Sequence, residues 1–251
     1  MAKRWKCRPS RAPGGTIRCA GWPLMVIDTL IFDWDGTLAD SIGHIVSTMQ
    51  SAAVAVGLPV PSDEAVKGII GLGLPEAAAV LFPQRPDLAV PVVDAYRDIY
   101  LSDDQQAVPL FAGVRQALDD WREQGYLLAV ATGKGRRGLN RVLGQHDLLD
   151  YFDATRCADE TVSKPDPAML HQILRELGRG SGAAVMVGDS SFDIQMAHNA
   201  GMRAVAVSYG AQSRDQLEKL TPVACMDRFV ELAPWLSGQR ADSRGIGLER
   251  V

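Results

Sequence analysis

The sequence predicts an α/β protein in which a doubly wound parallel sheet carries an inserted α-helical cap domain. From residue 114 onward, short apolar runs alternate with segments of helical periodicity, a pattern typical of parallel strands joined by right-handed crossovers. One further apolar run precedes them at residues 26–32, and residues 40–108 between have helical patterning alone. The sheet is therefore expected to begin before the helical insert and to be completed after it.

Periodicity assigns each element in order. In the core, we expect one helix over residues 114–125 and one after each later strand. In the insert, we expect helices over residues 41–57, 63–70, 74–82 and 88–101. We therefore divide the chain into a core domain, residues 25–39 and 109–236, and a cap domain, residues 40–108. The five expected strands are residues 26–32, 126–132, 152–157, 183–189 and 203–209.

Both chain ends look different from the body. Residues 1–24 contain six basic residues and no acid, and their Pro, Gly and Arg content predicts disorder. Met25 stands just before the first strand, so one interpretation is that translation starts at Met25. The alternative is that residues 1–24 form an Arg-rich interaction tail. Residues 237–251 are expected to form a flexible polar tail. The basic residues are Lys3, Arg4, Lys6, Arg8, Arg11 and Arg18.

Composition excludes several classes of protein. The chain has 251 residues, of which 47% are hydrophobic, enough to bury a substantial core. It lacks an apolar run of about eighteen residues, so we expect no membrane span. A net charge of -4 gives no reason to expect nucleic acid as a partner. Without a secretory signal or CxxC spacing, we expect a cytoplasmic protein with four free thiols: Cys7, Cys19, Cys157 and Cys225.

Polar clusters follow the expected strands where each one ends. Asp33 and Asp35 come directly after the first apolar run, within LIFDWDGTLADS at residues 30–41. Ligands of open parallel sheets bind beyond the carboxyl ends of the strands, so these acids are expected to face a site. The further clusters are Thr132-Gly133-Lys134, Ser163-Lys164-Pro165-Asp166-Pro167 and the run GDSSFD at 188–193.

These four clusters, in this order and with a helical insert after the first, resemble the haloacid dehalogenase superfamily. The motifs are DxDGTLxDS, a strand-terminal Thr followed two residues later by Lys, KPxP and GDxxxD, and the likeness covers residues 25–235. The resemblance is to phosphatases with a helical C1 cap of the phosphoglycolate phosphatase type. It implies a Rossmann-like core and hydrolysis of a small phosphorylated metabolite.

The resemblance implies roles for the two acids of the first cluster. Asp33 would be the nucleophile and form an aspartyl-phosphate. Asp35 would protonate the leaving oxygen and then activate water. A carboxylate meeting a phosphate at about 4 Å costs on the order of 4 kcal/mol per charge pair at an effective dielectric of about 20. Cations must therefore stand at the same place.

The resemblance also implies where those cations come from. Mg²⁺ would be held by the Asp33 carboxylate, the Asp35 backbone carbonyl and the Asp189 carboxylate, since it prefers hard oxygen ligands. Asp193 would orient a metal-bound water or Lys164. Lys164 would compensate the charge of the nucleophile and of the phosphoryl group.

Phosphate oxygens would be held by the hydroxyl of Thr132 and by backbone N–H groups near Gly133. A plain N-cap is the alternative for Thr132. Lys134 is expected as a solvated residue at a helix start, with a substrate contact as the alternative. Asp40 and Ser41 are expected as caps of the first helix of the insert.

The glycine-bearing loop at residues 70–76, IGLGLPE, is the best candidate in the cap for a contact with the leaving group, and a tight turn without a ligand role is the alternative. A substrate carboxylate would need a cation there, and Lys67, Arg85 and Arg97 are the cap residues that could supply it.

The first functional hypothesis is a magnesium-dependent phosphatase acting on a small, phosphoglycolate-like phosphomonoester, as a monomer or homodimer. A sugar phosphomutase of the β-phosphoglucomutase type is an alternative, although such enzymes usually have a histidine where this chain has Ile45, with His44 one residue earlier. A pyrophosphatase is another. From a different class, a phospho-accepting signalling module also uses Asp, Thr and Lys at strand ends. A dehalogenase is disfavoured because Asp35 is present.

Overall fold

The computed structural model describes residues 9–11, 17–19, 26–102 and 107–244. Its main sheet has six parallel strands in the order β5-β4-β3-β6-β7-β8, and a separate antiparallel pair is formed by β1 and β2. The strands are β1 (Pro9–Arg11), β2 (Ile17–Cys19), β3 (Thr29–Phe32), β4 (Leu127–Thr132), β5 (Ala154–Cys157), β6 (Ala184–Gly188), β7 (Arg203–Val207) and β8 (Ala224–Met226).

The five expected strands are all present, and the predicted doubly wound sheet is confirmed. Strand β8 was not predicted, because it is only three residues long and two of its side chains are half-buried, so it leaves no apolar run in the sequence. It pairs with β7 at the edge of the sheet.

Ten α-helices are described, four of them in the insert. Helices of the core cover both faces of the sheet, whereas those of the insert pack mainly on one another. The insert contains α1 (Ile42–Ala55), α2 (Asp63–Lys67), α3 (Leu74–Leu81) and α4 (Ala89–Tyr100). The core contains α5 (Val114–Glu123), α6 (Arg136–Gln145), α7 (Ala168–Leu177), α8 (Ser191–Asn199), α9 (Arg214–Glu218) and α10 (Leu232–Arg244).

Strand β3 shows how the sheet is buried. Successive side chains of a strand point to opposite faces. Leu30 and Phe32 therefore join the apolar cluster that includes Leu118 of α5, while Ile31 joins the cluster that includes Leu170 of α7. Because both faces are covered, β3 reads in the sequence as one continuous apolar run.

The insert has an apolar cluster of its own. Its buried members come from α1, α3, α4 and the segments between them, and include Met49, Ala78 and Val92. A sequence of helical amphipathic segments can bury its apolar faces in this way without contributing to the sheet. The helical insert expected from the sequence is therefore present as a packed unit.

The chain ends differ from expectation where they are described. In the N-terminal segment expected to be disordered, β1 and β2 pair antiparallel. At the other end, residues 237–244 were expected to be tail but continue α10. The remaining residues of both segments lie outside the described ranges.

Two further expectations concern membrane spans and thiols. In the part of the chain that the structure describes, no helix has both the length and the apolar character needed to cross a membrane. Cys157 and Cys225 have free thiols, as expected. The side chains of Cys7 and Cys19 lie outside the described part of the structure.

The insert contacts the core through the loop at residues 70–76. The N–H of Gly73 donates to Ser163 Oγ at 2.8 Å. Gly133 lies so close to the same loop that a Cβ on it would stand 2.4 Å from the carbonyl oxygen of Leu72. At the end of α4, Arg141 of the core donates to the carbonyl of Ser102 at 2.7 Å. The cap is thus held against the loops that follow β4 and β5.

Replacing Gly133 with Ala tests this close approach. The added methyl group must displace the cap loop, and overpacking of this kind typically costs about 1–3 kcal/mol. We expect a lower midpoint in thermal or urea unfolding. Gly138→Ala is the matched control, since no heavy atom lies within 4 Å of its Cβ position in α6. An equal effect of the two substitutions would contradict the proposed contact.

Candidate active site

Asp33 directly follows β3, at the place in the sheet where the strand order reverses. The chain runs from β3 through β4 to β5 on one side, and then crosses to β6, β7 and β8 on the other. Such a switch point leaves a crevice at the carboxyl ends of the strands. Asp33 is buried there, with only 1% of its surface exposed.

Lys164 lies between Asp33 and Asp193. Its Nζ is 2.8 Å from Asp33 Oδ1 and donates a hydrogen bond to Asp193 Oδ1 at 2.6 Å. Burial by itself lowers the pKa of Lys164, but Asp193 and Asp33 outweigh it and raise the pKa above its ordinary value. A fully buried ammonium group therefore remains charged.

Asp193 is fixed by the start of α8. Its Oδ2 accepts hydrogen bonds from the N–H of Ser190 at 3.1 Å and from Ser190 Oγ at 2.6 Å. The first of these bonds is half of a capping box, whose other half runs from the Asp193 N–H to the Ser190 side chain. A capping box satisfies helix N–H groups that would otherwise lack partners. The same carboxylate thus caps the helix with one oxygen and holds Lys164 with the other.

Asp189 follows β6 and faces the turn after β3. Its Oδ1 accepts from Thr37 Oγ1 at 3.1 Å, and its Oδ2 accepts from the N–H of Ala211 at 2.6 Å. The turn passes so close that a Cβ on Gly36 would stand 2.1 Å from Asp189 Oδ2, and Gly36 also has a φ of 73°. Only glycine fits at this position without strain.

Three buried acids therefore meet at one place. Carboxylate oxygens of Asp33, Asp189 and Asp193 all lie within 4.8 Å of one another. Burial raises the pKa of Asp33 from 3.8 to about 7; Lys164 partly offsets this, while Asp193 and Asp35 add to it. Burial, together with Asp33 and Asp193, also raises the pKa of Asp189 well above its ordinary value. One ammonium group does not balance three carboxylates.

The cluster can hold a divalent cation. Asp33 Oδ1 is buried and has the ammonium of Lys164 at 2.8 Å, but the three acids together still carry more negative charge than this one cation offsets. Carboxylate oxygens are the ligands that Mg²⁺ prefers. A cation here would supply the missing positive charge, so the residues present fit a hard metal ion.

Asp35 is held by an ion pair that differs from the expectation for Lys134. Lys134 Nζ lies 3.1 Å from Asp35 Oδ2 and donates to the hydroxyl of Tyr100, on α4, at 2.6 Å. Its side chain is only 8% exposed, so the predicted solvated position is wrong. The reason is that α4 covers the loop after β4, which the sequence alone does not reveal.

Ser41 also contacts Asp35. It occupies the N-cap position of α1, as predicted, but its side chain makes no capping hydrogen bond. Instead Ser41 Oγ donates to Asp35 Oδ1 at 2.7 Å. The Asp35 carboxylate therefore has one oxygen on Ser41 and the other on Lys134.

Thr132 ends β4, and Gly133 follows it beside this ion pair. The Thr132 hydroxyl is buried and accepts a hydrogen bond from the N–H of Lys134 at 3.2 Å. The cap loop at residues 70–76 lies against Gly133 in this structure. The predicted contacts of Thr132 and Gly133 with phosphate stay predictions.

A cavity of about 780 Å³ opens between these residues and the cap. Residues of the loop at 70–76 line it, and their predicted contact with a leaving group stays a prediction. Of the three cap cations considered, Arg97 lines the cavity, while Lys67 lies in another depression and Arg85 pairs with Asp87. Arg137 of α6 lines the cavity as well and was not foreseen.

The sequence clusters therefore converge, and the structure adds Tyr100 to them. Asp33, Asp35, Lys164, Asp189 and Asp193 were expected at one sheet edge and are found there. Tyr100 was missed because it lies in a helical pattern far from any motif, 34 positions away from its partner Lys134. The sequence signal on the partner's side was Lys134, two residues after the motif threonine.

Comparisons with known proteins agree with this geometry. Residues 30–207 match the family model described as haloacid dehalogenase-like hydrolase. The probable phosphatase IndB of Dickeya dadantii is 33% identical over 208 residues, covering 81% of this chain and 90% of that protein. A phosphoglycolate phosphatase of Pectobacterium atrosepticum is 31% identical over 217 residues, covering 84% and 93%.

A solved structure has the same fold. The crystal structure of a predicted phosphoglycolate phosphatase from Haemophilus somnus superimposes with a TM-score of 0.75 at 24% identity, covering 84% of this chain and 99% of that one. At this identity the likeness shows the fold alone. The family match spans more than half of the chain and includes the clustered acids and Lys164. The protein therefore belongs to the haloacid dehalogenase-like hydrolase family.

Proposed function

We propose that the protein is a magnesium-dependent phosphatase that hydrolyses a small phosphomonoester through an aspartyl-phosphate on Asp33. The observation that carries the proposal is the buried contact of Asp33 with Lys164, 2.8 Å apart, inside a cluster of acids that can hold a cation. A nucleophilic carboxylate needs this positive surrounding to approach a phosphate dianion. Names of the relatives support the same reaction class.

In the first step, an Asp33 oxygen forms a bond to phosphorus while the bond from phosphorus to the leaving oxygen breaks. Lys164 stays beside Asp33 and offsets the negative charge of the incoming phosphoryl group. Its position is fixed because Asp193 accepts its second contact. The metal, when bound by Asp33 and Asp189 with the Asp35 carbonyl, supplies further charge compensation and orientation.

Asp35 serves as general acid and then as general base. It gives a proton to the leaving oxygen in the first step, and takes one from the water that releases phosphate from Asp33 in the second. In this structure both Asp35 oxygens are engaged, one by Lys134 and the other by Ser41. The ion pair must therefore open when a substrate enters, so that an Asp35 oxygen can reach the leaving oxygen.

The helical insert, which we delimit as residues 40–108, acts as a cap that excludes water from the phosphoryl group. Thr132 and the backbone N–H groups near Gly133 bind the phosphate oxygens after the loop at residues 70–76 moves away from Gly133. A mutase function is disfavoured because Ile45, at the position expected for the mutase histidine, adds an apolar side chain to the cavity.

A panel of phosphoesters assayed with Mg²⁺ tests the proposal. Phosphoglycolate, sugar phosphates, nucleotides and pyrophosphate should separate the phosphatase from the pyrophosphatase. A long-lived phosphoenzyme without turnover would instead favour a signalling role. Absence of phosphate release from every compound would contradict the proposal.

Asp33→Asn should abolish turnover, with a loss of several orders of magnitude in kcat. The substitution preserves volume but removes the attacking carboxylate. Steady-state phosphate release is the measurement, and circular dichroism should show the same fold as the wild type. Activity near the wild-type level would remove Asp33 as the nucleophile.

The same variant should be more stable than the wild type in EDTA at high pH. The folded-state pKa of Asp33 is raised to about 7, so the wild type loses stability as the pH rises through the range between the unfolded value and about 7. Asn does not ionise. The gain in melting temperature should therefore grow from about pH 4 to about pH 7 and then level off, and a gain independent of pH would contradict the assignment.

Mg²⁺ should raise the melting temperature of the wild type, because a ligand that binds only the folded state stabilises it. Asp189→Asn should reduce this shift and increase the Mg²⁺ concentration needed for activity. Asp166→Asn, outside the acidic cluster, is the control. An unchanged metal titration in the Asp189 variant would show that this residue is not a ligand.

A further inference from the structure

The cavity beneath the cap is larger than a phosphoryl group with a two-carbon leaving group requires. It measures about 780 Å³ and begins at Asp33 and Asp35. That volume corresponds to roughly 25 water molecules at about 30 Å³ each. The site therefore has room for a leaving group much larger than glycolate.

Part of the cap side of this cavity is apolar. Ile45 and Met49 come from α1, Ile69 from the segment after α2, and Leu74 from the start of α3. All four belong to the cap cluster or pack against it, so their positions are fixed by packing. An apolar wall held in this way can bind an apolar body without reorganising.

Aromatic side chains extend the same wall. Tyr96 and Tyr100 lie one helical turn apart on α4 and line the cavity, with ring centroids 5.7 Å apart and nearly parallel planes. On the core side, the loop after β4 and the start of α6 contribute Gly133, Gly135 and Gly138, which present no side chains. One part of the cavity thus has an apolar surface opposite exposed backbone.

The charges around the cavity disfavour an anionic leaving group. Lys134 is already paired with Asp35, and Arg97 with Asp94. Arg137 is the other arginine among the lining residues. Outside the reaction centre, acids outnumber the arginines. These lining acids are Glu76, Asp94, Asp98 and Asp159.

We propose that the leaving group of the substrate has an uncharged, largely apolar body that packs against α1, α3 and α4. This inference rests on the proposed phosphatase function and specifies its substrate class. Phosphoglycolate, whose leaving group is a small anion, is then a poor substrate, because an unpaired carboxylate against an apolar wall loses its hydration without compensation.

A series of n-alkyl phosphates, from methyl to pentyl, tests the proposal in the wild-type protein with Mg²⁺. Their leaving alcohols have similar reactivity, so differences report on binding in the cavity. We expect kcat/KM to rise about three- to fourfold for each methylene, the factor for burying one such group. The leaving group of isobutyl phosphate has the shape of glycolate but no charge. Its kcat/KM should therefore exceed that of phosphoglycolate by about tenfold or more.

Leu74→Gln should flatten the dependence on chain length, because it makes the wall polar at nearly constant size. Val80→Gln is the matched control: it makes the same kind of change on α3, but Val80 is 59% exposed and does not line the cavity. A slope in the control equal to that of the wild type is expected.

The outcomes separate the two proposals. Turnover of methyl phosphate and phosphoglycolate with no gain along the alkyl series would overturn the apolar leaving group and leave the phosphatase intact. So would a preference for phosphoglycolate over isobutyl phosphate, or equal slopes in the Leu74 variant and the wild type. If the protein hydrolyses none of these esters and no compound of the wider panel, both the phosphatase proposal and this inference are contradicted.

Discussion

The structure depends on one charge problem, the burial of three carboxylates and one ammonium group at the end of β3. Buried carboxylates are costly unless they are paired or hydrogen-bonded. Lys164 joins Asp33 to Asp193, the capping box of α8 fixes Asp193, and Thr37 with the backbone of residue 211 holds Asp189. The remaining negative charge makes the site suited to a divalent cation.

This arrangement shows why stability and function oppose each other here. The raised pKa of Asp33 means that the ionised carboxylate is less stable in the folded protein than in water. Such sites persist because favourable interactions elsewhere in the fold offset their cost. The apolar clusters on the two faces of the sheet supply that strength. Glycine at position 36 then lets the two acid-bearing turns come together without a steric clash.

The cap adds a second level of control. Its Tyr100 accepts a hydrogen bond from Lys134, so the helix that lines the cavity also contacts the lysine paired with the proposed general acid, Asp35. Under the proposed function, binding of a leaving group and release of Asp35 would both depend on α4. A cap built from its own apolar cluster can move or change its lining while the core chemistry stays constant.

The sequence by itself determined the sheet, the helical insert and the acids and lysine that meet at its edge, because strand burial, helical periodicity and strand-end motifs are local signals. Tertiary structure decided the rest. Lys134 was expected in solvent, and the Ser41 side chain was expected to cap α1. Both contact Asp35 instead, because the cap domain covers Lys134 and the turn after β3 directs Ser41 inward. Strand β8 and the apolar wall around Leu74 depend on contacts between distant segments, which no local pattern encodes.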